Sequence, residues 1–132
     1  MYLNQLDEKT KGLFLNLAIY VAESNGVVDD AERLLINQYC LEMGITYSNK
    51  KEINIDEILD DLKGCSNEIK NIIVVELMGL IISDGNTDIT EKVLINEICD
   101  KLCVSSEKRI VLEDDIKDYY EVAERITKHI YE

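Results

Sequence analysis

Apolar residues recur along this chain at helical spacings. Between Leu3 and Val21, Leu6, Leu13, Leu17 and Tyr20 fall on one face, with Phe14, Ala18 and Val21 widening the stripe, which predicts a first long helix. Ser24-Asn25-Gly26 ends it, because asparagine and glycine tolerate the left-handed backbone that closes helices. A second helix is predicted from about Asp30 to Met43, with Leu34, Leu35, Tyr39 and Cys40 inward and Gly44 as its cap. After a polar connection from Thr46 to Asn54, the pair Asn54 and Glu57 caps a short helix that ends at Lys63-Gly64. Ser66 starts a helix through about Ile82, and its all-round apolar run from Ile72 to Ile82 predicts the most buried element of the fold. Another helix covers about Ile89 to Leu102. Ser105 or Ser106 then opens a C-terminal segment whose stripe is Ile110, Ile116, Tyr119, Tyr120, Ala123, Ile126 and Ile130, with a break expected near Glu113.

An internal repeat runs through this pattern. At an offset of 59 residues, from Gly26 to Gly85, "NGVVDDAERLLINQYC" pairs with "DGNTDITEKVLINEIC" without a gap. Asp29 falls on Asp88, Glu32 on Glu91, Leu35 on Leu94, Ile36 on Ile95, Asn37 on Asn96 and Cys40 on Cys99. The expected fold class is therefore all-α: a compact single-domain bundle of about six to seven helices, spanning residues 1–132 and built from two pseudo-symmetric helix-turn-helix units. The repeats cover about residues 13–45 and 72–104.

Composition narrows the partners. The chain has 132 residues, 46% of them apolar, enough for a core without staples. It has no proline, so nothing forbids helix continuation. Fourteen basic against 27 acidic residues leave a net charge of −13, which repels phosphate backbones and argues against nucleic acid. A cation or a basic protein surface suits that field better. The Ile72–Ile82 run falls short of the roughly 20 residues a bilayer needs, so no direct membrane insertion is expected. The N-terminal segment carries Asp7 and Glu8 where a secretion signal would have a basic start and a long apolar run, so a cytoplasmic location is expected. Without a secretion signal, Cys40, Cys65, Cys99 and Cys103 are expected as free thiols.

Each repeat carries [Asn/Asp]-Gly-x-x-Asp-x-x-Glu after an apolar helix, as "NGVVDDAE" and "DGNTDITE". This doubled motif resembles the TerB-like domain, a tellurite-resistance family related to a domain of certain DnaJ-like membrane co-chaperones. The resemblance covers about Leu13 to Val104. It implies an all-helical cytoplasmic domain without established enzymatic activity, acting in stress response. It also implies metal binding through the two acidic turns and action within protein complexes near the membrane. The matching positions are Asp29 and Glu32 in the first unit and Asp84, Asp88 and Glu91 in the second. The sequence departs from the family pattern at Asn25, where aspartate would stand, and at Ile82 and Ser83, where alanine is usual.

Two readings of the turns stay open. Asp29 with Glu32, and Asp88 with Glu91, have the spacing of an N-cap and its third helical residue, which needs no ion. Alternatively, Asp84, Asn86 and Asp88 alternate like the first ligands of a calcium loop, and hard oxygen donors suit Ca²⁺, Mg²⁺ or Mn²⁺. Ile89 and Ile95 stand where an EF-hand needs glycine and glutamate, so such a site would borrow Glu91 or the partner turn. Cys99 and Cys103, four apart on one helix, could join Cys40 and Cys65 around zinc, though no Cys-x-x-Cys knuckle supports it. No Ser-His-acid set forms around His129, the single histidine, and no glycine-rich phosphate loop occurs. The chain is accordingly expected to be a non-catalytic binding or scaffold module with protein partners. The rival reading is a metal-independent homodimer or adaptor.

Overall fold

The computed structural model describes residues 1–26, 28–46, 54–83 and 88–132. A 3₁₀ turn at Leu3–Gln5 precedes six α-helices: α1 (Glu8–Glu23), α2 (Asp30–Met43), α3 (Ile55–Leu62), α4 (Asn67–Ile82), α5 (Ile89–Lys101) and α6 (Ser106–Tyr131). No strand occurs among the described residues, and the fold is all-α. No helix among them is long and apolar enough to cross a membrane.

Most boundaries follow from local capping chemistry. Asn54 Oδ1 accepts the Glu57 N–H at 3.2 Å, Ser66 Oγ the Ile69 N–H at 3.3 Å, and Ser105 Oγ the Lys108 N–H at 3.1 Å. Each of these satisfies a first-turn donor that has no partner inside its own helix. The first helix starts later than its apolar stripe predicts. Asp7 adopts extended backbone and accepts the Thr10 N–H at 2.8 Å, so the chain from Leu3 to Leu6 becomes a separate turn packed on α2. The expected break near Glu113 is absent. α6 runs through it, and the Glu113 carboxylate pairs with Lys92 at 3.3 Å and Lys117 at 3.4 Å.

α4 is the central post, touching α1, α2, α5 and α6. Ile73, Val74, Leu77 and Leu80 on it are almost wholly buried, as are Phe14 and Leu17 of α1 and Ile95 and Ile98 of α5. Gly79 of α4 faces Ile116 and Tyr120 of α6. Leu34 was expected inward but is 60% exposed. The face of α2 that meets the core runs through Glu32, Ile36, Tyr39, Cys40 and Met43, and Leu34 lies off that arc. The Tyr39 hydroxyl donates to the Glu76 carbonyl at 2.6 Å.

Repeat-related positions share burial and backbone. Ile36 and Ile95 are buried, as are Cys40 and Cys99. Gly44 after α2 has φ 68° and Cys103 after α5 has φ 61°. In both places the next N–H bonds back to the preceding repeat cysteine: Ile45 to Cys40 O at 3.0 Å, Val104 to Cys99 O at 2.9 Å. These are left-handed helix ends of one design. All four cysteines are free thiols, Cys40 and Cys99 buried, Cys65 half-buried and Cys103 exposed.

Candidate functional site

Asp29 is the N-cap of α2. Its Oδ1 accepts the Glu32 N–H at 2.7 Å, and the Glu32 carboxylate accepts the Asp29 N–H at 3.3 Å, completing a reciprocal capping box. Asp88 caps α5 in the same manner, with Oδ1 accepting the Glu91 N–H at 3.0 Å. Its second oxygen reaches across the fold, where Asn25 Nδ2 donates to Asp88 Oδ2 at 3.2 Å. The turn that ends α1 and the turn that begins α5 are thereby tied together. Gly26, at φ 85°, bonds its N–H to Glu23 O and turns the chain out of α1 at that point.

The third residue of each of these two helices is buried. Glu32 is 2% exposed and Glu91 4%, and the two carboxyl groups come within hydrogen-bonding reach of each other. Glu91 Oε2 has no hydrogen-bond partner among the described residues. Two carboxylates cannot donate to one another, so the pair needs a proton or another cation between them. The electrostatics agree. Burial, then the hydrogen bond and negative charge of Glu32, then the charges of Asp88 and Asp29, push the Glu91 carboxyl up to about 9. Asp88 goes the other way: the Glu91 N–H and the Asn25 amide hold its carboxyl below the usual range.

Of the six residues singled out in the sequence, Asp29, Glu32, Asp88 and Glu91 are drawn into this one cluster. Asp84 and Asn86 lie outside the described residues. Among those residues, no three His, Cys, Asp or Glu side chains are disposed to hold a metal ion. Asp29 and Asp88 commit oxygens to the caps, and Glu32 Oε1 accepts the Asp29 N–H, so the helix starts already use part of the cluster's acceptor capacity.

A second buried acid escaped the sequence reading. Glu76, 3% exposed in the middle of α4, accepts from the Met1 ammonium at 3.0 and 3.3 Å, and Glu42 accepts from the same group at 2.9 Å. Burial raises the Glu76 carboxyl from its ordinary value while the ammonium draws it back. Burial also opposes the charge on the ammonium, but the hydrogen bonds and charges of Glu42 and Glu76 outweigh it and the group is raised. The one signal in the sequence is the lone acid in "IIVVELMGLII". Burial pushes Cys40 up, and at Cys99 burial outweighs the lowering by Arg109.

No protein-family model, no curated protein and no solved structure matches this chain.

Proposed function

We propose that this chain is a non-catalytic, TerB-like stress-response module of the tellurite-resistance type, a scaffold for protein partners that takes a divalent cation where its two acidic turns converge. The observation that carries the reading is the burial of Glu32 and Glu91 against each other, with Asn25 and Asp88 linking the turns above them. A hard cation such as Ca²⁺, Mg²⁺ or Mn²⁺ supplies the positive charge the pair otherwise obtains by holding a proton. The two helix N-termini oppose such an ion, so the affinity is modest and rises with pH as the shared proton leaves. An overall charge of −13 favours both the cation and a basic partner surface.

A second reading has its own observation in favour. The Asp29–Glu32 box is complete without an ion, which supports a metal-independent adaptor or homodimer whose turns are only caps.

The test is calorimetric and NMR titration with each of the three cations at pH 6 and pH 8, on the native chain and on Glu91→Gln and Asp88→Ala. Saturable binding that is tighter at pH 8, releases a proton, and disappears in Glu91→Gln supports the cation-linked module. Weak shifts spread over all carboxylates, equal at both pH values and in both variants, leave the capping reading standing.

A further inference from the structure

Glu42 of α2 and Glu76 of α4 line one crevice, which α6 closes from a third side with Ile116, Tyr119 and Tyr120. Glu76 is 3% exposed in the middle of an apolar helix, and a charge so placed is costly unless a cation and hydrogen bonds meet it. The Met1 ammonium does so through three oxygens, Glu42 Oε1 at 2.9 Å and Glu76 Oε1 and Oε2 at 3.0 and 3.3 Å. An ammonium has three N–H donors, one for each. These are hydrogen-bond lengths, well beyond the roughly 2.3–2.6 Å that Ca²⁺ takes from oxygen.

The socket has supports of its own. Glu42 Oε2 accepts the Leu3 N–H at 2.7 Å, and Leu3 is wholly buried. The Tyr39 hydroxyl ties α2 to α4 at the Glu76 carbonyl. Met1 itself is 48% exposed, so it can swing out without unseating the turn behind it.

Beside the two carboxylates lies a cavity of about 230 Å³, walled by Leu35, Val75, Ile116 and the tyrosines 39, 119 and 120. Gly79 gives the α4 wall no side chain, and a Cβ there would stand 3.4 Å from Tyr120 Oη. The volume exceeds the roughly 150 Å³ that takes a benzene ring and falls short of the roughly 300 Å³ where drug-sized pockets begin. A short hydrocarbon body fits that space. Apolar walls favour it, and tyrosine ring faces favour a cation at its head.

We infer that the crevice between α2, α4 and α6 binds a small primary amine, its ammonium on Glu42 and Glu76 and its hydrocarbon body in the adjoining cavity. Met1 is then a tethered occupant that the ligand displaces. The same chemistry rejects close analogues: a quaternary ammonium has no N–H to donate, and an alcohol brings no charge to Glu76.

The test is an amide NMR titration of the full chain at pH 7 with n-butylammonium, 1-butanol and tetramethylammonium, repeated on the Nα-acetylated chain. Only n-butylammonium should give saturable shifts at Tyr39, Glu42, Glu76, Gly79 and Tyr120, with a dissociation constant on the order of 1 mM, as five non-hydrogen atoms allow. Acetylation removes the tethered competitor and should tighten binding by about threefold or more. Glu76→Gln should abolish it. Should that variant fail to fold, Glu42→Gln, at the exposed rim, decides: it should weaken binding by about threefold or more with unchanged circular dichroism. A blocked lysine-containing tripeptide separates the two sources of an alkylammonium. Weaker binding than n-butylammonium supports a free amine, and tighter binding supports a lysine carried by a protein. No saturable shifts on the acetylated chain, equal shifts with 1-butanol, or binding indifferent to Glu42→Gln would each overturn the inference.

Discussion

Two carboxyl groups buried side by side cannot both carry a full charge, and this dictates how Glu91 responds to pH. Its ordinary value is 4.5, and the fold raises it to about 9. Between those limits the folded chain holds a proton that the unfolded chain has lost. Stability is therefore greatest at the acid end of the window and falls as pH rises, by up to about 1.4 kcal/mol per pH unit while one proton separates the two states. Glu91→Gln keeps the shape, cannot titrate and offers an amide donor to Glu32. Urea unfolding across pH 5–9 should show a flatter profile for this variant and greater stability than the native chain at pH 8–9. An unchanged slope would place the extra proton elsewhere. Asp29 and Asp88 were legible as caps from their spacing alone, since an N-cap bond spans three residues whatever surrounds it. That Glu32 and Glu91 both turn inward was not legible, because it depends on which faces of α2 and α5 the other helices cover.

Among elements, the matched ends of α2 and α5 expose a cost that only one of them bears. Gly44 enters the left-handed region freely, whereas Cys103 does so with a side chain, at about 1–2 kcal/mol for an L-residue. Cys103→Gly should therefore raise stability by about 0.5 kcal/mol or more after allowing for the looser unfolded chain, as thermal or urea unfolding would register. Equal or lower stability would mean that the exposed thiol makes contacts worth keeping. The starts of α3, α4 and α5 could be read from Asn54, Ser66 and Asp88, and that of α6 to within one residue, as Ser105 or Ser106. The start of α1 could not, because Leu3 and Leu6 continue the apolar stripe past a cap at Asp7 that competes with it.

For the whole molecule, a charge of −13 on a body this small means that acidic side chains repel one another across most of the surface. The exposed ion pairs, such as Lys101–Asp56 at 3.0 Å, are too few to cancel it. Raising NaCl from about 10 to about 150 mM shortens the screening length from roughly 30 to 8 Å and should raise the melting temperature. Adding Ca²⁺, Mg²⁺ or Mn²⁺ at constant ionic strength should raise it further only if the site between the turns is real. A melting temperature indifferent to NaCl would mean that the acidic groups are already compensated within the fold.

The sequence alone determined what short-range chemistry controls: an all-helical chain, most of the helix ends, the doubling of one motif, and the burial of α4, whose apolar residues have nowhere to go but inside. Local spacing suffices there, because caps and periodic stripes act within a few residues. Tertiary structure decided what depends on distant neighbours. It turned Glu32 and Glu91 from helix-start residues into a facing buried pair, joined Asn25 to Asp88 across 63 positions of chain, and brought Glu76 to the Met1 ammonium. It also left the outer half of α6 bare. The energy of a buried charge or an uncovered stripe is set by what packs against it, and no residue carries that information by itself.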